Sequence, residues 1–333
     1  ALAGMTTLSV DTGDLETVRR FVATGLVVDA TTNPLFVSQA GLSGDEDYQA
    51  MVDAAVEHAV SEGGGAELDV KLDMAADMLS VQLGKGILDM VPGFVSTEVS
   101  IRLSYDADAM VARARRLVQL YRGLSVDTSR VLIKLPGTFE GIQAARVLEA
   151  EGIKTNVTLV FGFVQGVAAA QAGAHLISPF PGRVLEWHRA HGGPQSMPPE
   201  DDPGVVMVRE IYGYCKRHGY DTIVMPASWR SPTGEDPLEE ILALAGVDRM
   251  TIPPQLLDEL ASRDALEVRR ALEPQDAAAA WQGDKLGDLT REQFSWRLAQ
   301  DGAANDKLAA GIRAFSADTD KLLSVLRAHP RMQ

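Results

Sequence analysis

Eight short apolar runs of strand length recur along this chain, with helical patterns between them. They fall near residues 8–11, 27–33, 94–100, 130–135, 155–160, 175–180, 222–228 and 249–252. Strands that alternate with helices are joined by crossovers, and crossovers make neighbouring strands parallel. Eight such units predict an α/β chain whose sheet closes on itself, a (β/α)8 or TIM barrel, with additional C-terminal helices. The helical patterns support the count. Asp14 is placed to cap a helix with Leu15, Val18, Phe21 and Val22 on one face. Further helices are expected over about 34–60, 69–89, 106–121, 138–148, 163–172, 203–218 and from Gly234 to Gly246. A Pro- and Gly-rich loop is expected from Gly192 to Pro203, and a low-complexity connector from Pro274 to Gly287. Beyond it, about 288–328 reads as a helical extension packed on the barrel, with residues 1–333 forming one domain.

Composition narrows the partners. Lys and Arg number 31 against 46 Asp and Glu, a net charge of −15, which argues against nucleic acid and anionic membranes. A small anion held by a few arginines remains compatible. There is one cysteine, Cys215, hence no disulfide framework, and no apolar run of membrane-spanning length. A reducing compartment is expected, the cytoplasm, or a plastid if Ala1–Gly4 ahead of Met5 is what a removed transit peptide leaves. The six histidines show no metal-ligand spacing, and Gly63–Gly64–Gly65 lacks the residues of a phosphate cradle, so neither metal nor cofactor is expected.

The fourth run, Val131–Leu132–Ile133–Lys134–Leu135 closed by Pro136–Gly137, carries a lysine among apolar residues. Lysine is almost never fully buried without a partner. Desolvation lowers its pKa, and a value brought down toward about 7–8 frees the amine to attack carbonyls. The ordinary alternatives are pairing with a buried carboxylate or escape of the ammonium from an edge strand. In a barrel of this type chemistry sits at the C-terminal strand ends. Polar residues collect there: Asp11, Asn33, Glu98, Lys134, Asn156, Thr158, Ser178, Ser228 and, just beyond their strands, Arg183 and Arg230. Singly, each has an ordinary reading as a cap, a turn former or a surface charge. Together they would share one cavity, in which arginines suit a phosphate.

At this point the chain resembles the transaldolase family. The resemblance rests on Asp11–Thr12–Gly13–Asp14, Asp29–Ala30–Thr31–Thr32–Asn33–Pro34, Ser96–Thr97–Glu98–Val99, Ile133–Lys134–Leu135, Asn156–Val157–Thr158–Leu159 and Ile177–Ser178–Pro179–Phe180–Pro181–Gly182–Arg183, in that order. It implies a metal-free class I aldolase of the pentose phosphate pathway. Such an enzyme moves a dihydroxyacetone unit from sedoheptulose 7-phosphate to glyceraldehyde 3-phosphate, giving erythrose 4-phosphate and fructose 6-phosphate. The family's Schiff-base lysine then falls on Lys134, its general acid/base on Asp11, and the pair that holds a catalytic water on Glu98 and Thr158. Its hydroxyl-binding residues fall on Asn33, Asn156 and Ser178, and its phosphate site on Arg183, Ser228 and Arg230. Phe180 stands where a relative that cleaves fructose 6-phosphate directly has a water-activating tyrosine, which favours transfer over free cleavage. Ser100–Ile101, Pro226, Trp229 and the stretch from Ala23 to Leu26 depart from the family pattern without removing a catalytic group. The oligomeric state stays open, a homodimer among the options.

Overall fold

The structure is a computed structural model that describes residues 1–264 and 268–333. Its strands are β1 (Thr7–Asp11), β2 (Val27–Thr31), β3 (Val95–Glu98), β4 (Val131–Pro136), β5 (Thr155–Val160), β6 (Leu176–Pro179), β7 (Ile223–Val224) and β8 (Arg249–Ile252). All pairings are parallel, in the order β7-β6-β5-β4-β3-β2-β1-β8. Only the β7–β8 rung is missing from a closed ring. There the Thr251 N–H donates to the Pro226 carbonyl at 3.2 Å, and the Val224 N–H to the Asp248 carboxylate at 3.0 Å. The result is a nearly closed (β/α)8 barrel.

The helices are α1 (Leu15–Ala23), α2 (Pro34–Leu42), α3 (Glu46–Gly63), α4 (Leu68–Leu88), α5 (Ala107–Gly123), α6 (Phe139–Ala150), α7 (Phe163–Gln171), α8 (Pro181–Ala190), α9 (Pro203–His218), α10 (Glu239–Ala243), α11 (Pro254–Ser262), α12 (Pro274–Ala280), α13 (Arg291–Gln300) and α14 (Gly302–Ala328). Several begin at a side-chain cap, of which the sequence reading named Asp14. The side chains of Asp14, Asn33, Asp106 and Thr138 each accept a backbone N–H of the first turn.

The expected helix from Gly234 to Gly246 is only Glu239–Ala243, and α11 was not among the expected helices. Five further departures from the sequence reading each have a local cause. The helix expected over 34–60 is two, because Asp45 caps a new helix by accepting the Asp47 N–H. The seventh strand has a two-residue ladder with β6: Met225 and Ala227 still donate to the Ile177 and Pro179 carbonyls, but Pro179 has no N–H to give in return. Pro181–Gly182–Arg183 does not simply end β6 but opens α8, with proline at the first helical position, where its missing donor costs nothing. The alanine run of the expected connector forms α12, as alanine's propensity favours. The C-terminal helix breaks at Asp301, whose carboxylate caps α14 through the Ala304 N–H.

Side-chain alternation decides what faces the barrel axis. Val131, Ile133 and Leu135 join the large core between sheet and helices, whereas Leu132 packs with Leu176 and Met225 in a separate small cluster beside Phe94 and Ile223. Period 2 therefore turns Lys134 inward, one layer above Leu132. Below that layer, Asp29 accepts the Phe94 N–H at 2.7 Å and pairs with Arg249, and Arg249 and Lys154 lie over the Phe94 ring. This plug closes the N-terminal end. At the other end α14 packs across α2, α4, α8 and β5. Among the described residues no helix is long and apolar enough to cross a membrane.

Helix α6 sits tightly on the end of β4. A Cβ on Gly141 would collide with the Pro136 carbonyl oxygen and crowd the Thr138 hydroxyl. Alanine would gain up to about 1 kcal/mol of helix propensity, but overpacking against backbone costs about 1–3 kcal/mol. Gly141→Ala is therefore expected to lower unfolding free energy on balance, checked by urea denaturation; a gain in stability would contradict this packing.

Candidate active site

Register sets the central row. Lys134 is paired across the sheet with Glu98 on β3 and with Asn156 on β5. Neighbouring strands so hold three inward polar side chains at one level. The Lys134 Nζ donates to the Thr32 carbonyl at 3.1 Å and lies 3.9 Å from Glu98 Oε2, with side chains only 7% and 4% exposed. The amine is not surrounded by hydrocarbon alone; it has a carbonyl and a carboxyl beside it. Neither oxygen of Glu98 has a hydrogen-bond partner, and neither does the buried Thr158 hydroxyl. Burial pushes Glu98 up to about 7, against the opposing pull of Lys134.

Asp11 faces this row from β1. It accepts a hydrogen bond from the Thr31 hydroxyl at 2.8 Å, and Thr31 in turn meets the Thr251 hydroxyl at 2.8 Å. Burial raises the Asp11 pKa above the usual carboxylate value, while Lys134, Thr31 and Arg183 pull it down. Both carboxyl groups beside the lysine are thus shifted toward neutral pH, where proton exchange is easiest. On the far side, Asn156 donates to the Ser96 hydroxyl at 3.0 Å and accepts from the Ser178 hydroxyl at 2.9 Å. That chain fixes the Asn156 amide and aims Ser178.

A cavity of about 260 Å³ opens above these groups. Asp11, Asn33, Lys134, Ser178, Phe180, Arg183 and Ser228 all line it. Glu98, Asn156 and Thr158 are outside its wall, the first two behind Lys134 and Ser178. Among the described residues Arg183 makes no hydrogen bond or ion pair; its guanidinium lies 5.1 Å from the centre of the Phe180 ring. Burial and the nearby Arg230 both disfavour its charge, which an anion would restore. Arg230 is placed differently. Its Nε pairs with Glu186 at 2.6 Å, a group that Lys307 also approaches at 3.5 Å, and it does not line the cavity.

Two backbone details bring Arg183 and Ser228 together. Ser228 adopts a left-handed φ of 65°. The Gly182 N–H donates to its carbonyl at 3.2 Å, and a Cβ at Gly182 would strike that oxygen. Glycine is thus required between Pro181 and Arg183. The turn is anchored below by Glu240, whose buried carboxyl accepts the Arg230 N–H at 2.6 Å. Burial and the adjacent Asp202 push Glu240 well above the usual carboxylate range.

Other contributors carry no sequence signal of their own. Gln165 is buried; its oxygen accepts the Phe161 and Gly162 N–H groups and its nitrogen donates to the Gly137 and Leu159 carbonyls, which ties the ends of β4 and β5 together. Leu35 and Phe36 of α2, and Ala314, Phe315 and Asp318 of α14, complete the cavity mouth. Thr31 had one faint signal, its place in the polar run Thr31–Thr32–Asn33 at the end of β2. Among the described residues no group of three or more His, Cys, Asp or Glu is placed to hold a metal ion.

A family model described as Transaldolase/Fructose-6-phosphate aldolase matches residues 8–326. A transaldolase of Marinobacter nauticus is 49% identical over 322 residues, covering 96% of this chain and 94% of that protein. Transaldolases of Alteromonas mediterranea and Cellvibrio japonicus are 46% and 47% identical over 329 residues, covering 98% of this chain and 97% of each relative.

The raised Glu98 pKa has a stability consequence. The unfolded chain releases this proton near 4.5 and the folded chain near 7. The group's contribution is therefore fully present below 4.5 and is lost as pH rises to 7. Glu98→Gln removes that loss. Relative to the parent chain, the variant should gain stability between pH 5 and 8, by at most about 3 kcal/mol, from about 1.4 kcal/mol per pKa unit. Denaturation curves at both pH values measure this; a constant difference would contradict it.

Proposed function

The chain belongs to the transaldolase/fructose-6-phosphate aldolase family and is an enzyme of the transaldolase type; from this premise we propose that it carries a dihydroxyacetone unit between sugar phosphates on an imine formed at Lys134. The donor is sedoheptulose 7-phosphate and the acceptor glyceraldehyde 3-phosphate, within the pentose phosphate pathway of the cytoplasm. The observation that carries this reading is the position of Lys134: buried, in the cavity wall, and flanked by two carboxyl groups whose pKa values are raised.

The chemistry follows from that placement. Lys134 Nζ, once it has given up a proton, attacks the C2 ketone, and the carbonyl oxygen leaves as water. The protonated imine then draws in the electron pair of the C3–C4 bond as that bond breaks. Asp11 takes the proton of the C4 hydroxyl, and the shortened aldose departs. The remaining enamine attacks the aldehyde of the acceptor, Asp11 returns the proton to the new C4 oxygen, and water releases the product. Glu98 and the Thr158 hydroxyl suit the water steps, because neither makes a hydrogen bond within the protein. Asn33 lines the cavity with its oxygen occupied by the Phe36 N–H, which leaves its amide hydrogens for a sugar hydroxyl. Ser178 serves the same group from β6, oriented through Asn156. Arg183 and Ser228 take the phosphate at the far end, and Arg230 supports them from behind its pair with Glu186.

The second reading is direct cleavage and synthesis of fructose 6-phosphate. Phe180 opposes it: the ring lines the cavity, packs edge-on against Phe161 at 5.5 Å, and has no hydroxyl to activate water for enamine protonation. Transfer is tested by following fructose 6-phosphate turnover with and without erythrose 4-phosphate. Acceptor-dependent sedoheptulose 7-phosphate formation should dominate; equally fast release of free dihydroxyacetone would favour the second reading. In the same assay, Arg183→Ala should raise KM for phosphorylated ketose by about tenfold or more, the equivalent of about 1.4 kcal/mol. KM for unphosphorylated fructose should change little, and an equal effect on both would remove Arg183 from the phosphate site.

A further inference from the structure

Two carboxyl groups that the reaction does not use lie behind the phosphate end of the cavity. Asp202 and Glu240 are both fully buried, and neither lines the cavity. Each is tied to one half of that end. Asp202 Oδ1 caps α9, accepting the Gly204 N–H at 2.7 Å and the Val205 N–H at 3.4 Å. This first turn of α9 presses on α8: a Cβ at Gly204 would strike the carbonyl oxygen of Pro181, two residues before Arg183. Glu240 Oε2 instead holds the turn that carries Ser228, by accepting the Arg230 N–H at 2.6 Å. The oxygens left over are Asp202 Oδ2 and Glu240 Oε1, and neither meets an N–H or O–H donor among the described residues. The two carboxyl groups nonetheless hydrogen-bond each other. Ionised carboxylates only accept, so such a bond requires a proton on one of them. The charged groups around the pair bond elsewhere. Arg189 of α8 donates to the Ser231 and Pro232 carbonyls at 3.0 and 2.6 Å, and Arg230 to Glu186 and the Trp229 carbonyl at 2.6 and 2.7 Å. Arg209 of α9 donates to the Ala243 carbonyl, the Glu239 carboxylate accepts from Ser231 and Thr233, and Glu200 and Asp201 are exposed.

We propose that Asp202 and Glu240 share one proton and act as positioning residues for phosphate binding, joining α8, which brings Arg183, to the turn that brings Ser228 and Arg230. The inference rests on the phosphate reading of Arg183. The proton belongs on Glu240. Asp202 stands at the N-terminus of α9 with two N–H donors and the charge of Arg189 nearby, all of which favour its carboxylate. Glu240 has one backbone donor and a carboxylate beside it, and a second charge in so buried a place is disfavoured. Two ionised carboxylates would push α9 and α10 apart, whereas a carboxylic acid bonded to a carboxylate holds them together. The shared proton thus closes a loop of contacts. It runs from Arg183 through Pro181 and Gly204 to Asp202, and from Glu240 through Arg230 to Ser228, whose carbonyl accepts the Gly182 N–H at 3.2 Å.

Amide replacement tests for the proton at constant side-chain size. In Glu240→Gln the new nitrogen donates to Asp202 and the new oxygen accepts the Arg230 N–H, so both bonds survive. In Asp202→Asn the new nitrogen donates to Glu240, which then stays ionised, and the cap on α9 survives. The double variant Asp202→Asn/Glu240→Gln sets two N–H groups against each other, with no proton left to remove. KM is measured for fructose 6-phosphate and for unphosphorylated fructose. Each single variant should keep the ratio of the two within about threefold of the parent. The double variant should raise KM for fructose 6-phosphate by about tenfold or more, beyond the product of the single effects, with kcat and KM for fructose within about threefold. A double variant that matches the product of the singles, or a tenfold selective loss in Glu240→Gln alone, would overturn the shared proton. If the double variant does not fold, Glu240→Met, which donates to nothing and leaves Asp202 Oδ2 unbonded, should show the same selective rise; an unchanged ratio would overturn the proposal. If Arg183→Ala in the same assay gives no selective rise, the phosphate reading itself falls, whatever the pair does.

Discussion

A lysine amine and a glutamate carboxyl lie 3.9 Å apart inside the barrel, and most of the site's geometry is a response to that pair. Removing two charges from water costs several kcal/mol each, and mutual attraction recovers it only when the remaining polar atoms are satisfied. Here they are satisfied on one side only. The Lys134 Nζ also holds the Thr32 carbonyl, but neither Glu98 oxygen accepts a hydrogen bond. A chain selected for stability alone would fill this layer with apolar side chains, as the layer below does with Leu132, Leu176 and Met225. The burial of Glu98 without a hydrogen bond raises its pKa to about 7.

The barrel makes such an arrangement tolerable by over-determining it. Register fixes Glu98, Lys134 and Asn156 side by side, and the Ser96–Asn156–Ser178 chain locks the next strand. Two of the three described non-glycine residues with positive φ lie at the rim, the third being Ser125 in the loop before β4. Leu159 and Ser228 both take left-handed backbone angles, at the β5 irregularity and beyond β7. Each is held from outside, Leu159 by Gln165 and by its contact with Gly311 of α14, Ser228 by Gly182. Residues in sparsely populated backbone regions persist only under such support, and they cluster where function needs a particular direction.

Much of this was legible in the sequence. Eight alternating units gave the closed parallel sheet, and a single lysine in an apolar strand marked its inner face. The polar strand ends converge as the barrel requires. What remained hidden has physical reasons. The helix at Pro181 was masked because Pro-Gly usually marks a turn, and only the three-dimensional approach of Ser228 explains that glycine. The brevity of β7 follows from one missing N–H at Pro179 on the neighbouring β6, an effect that the propensity of the seventh strand itself does not register. Gln165 and the Glu240–Asp202 pair bond mainly backbone, so no spacing rule points to them. Residues of α14 reach the mouth from more than 130 positions beyond β6, a contact no local pattern encodes.

The central claim is that one buried amine captures a ketose covalently. The most direct measurement is borohydride reduction of the enzyme in the presence of fructose 6-phosphate, followed by peptide mass mapping. The account predicts a single three-carbon adduct or its six-carbon precursor on the peptide carrying Lys134, absent from Lys134→Arg. An unmodified Lys134 peptide together with retained transfer activity would contradict it.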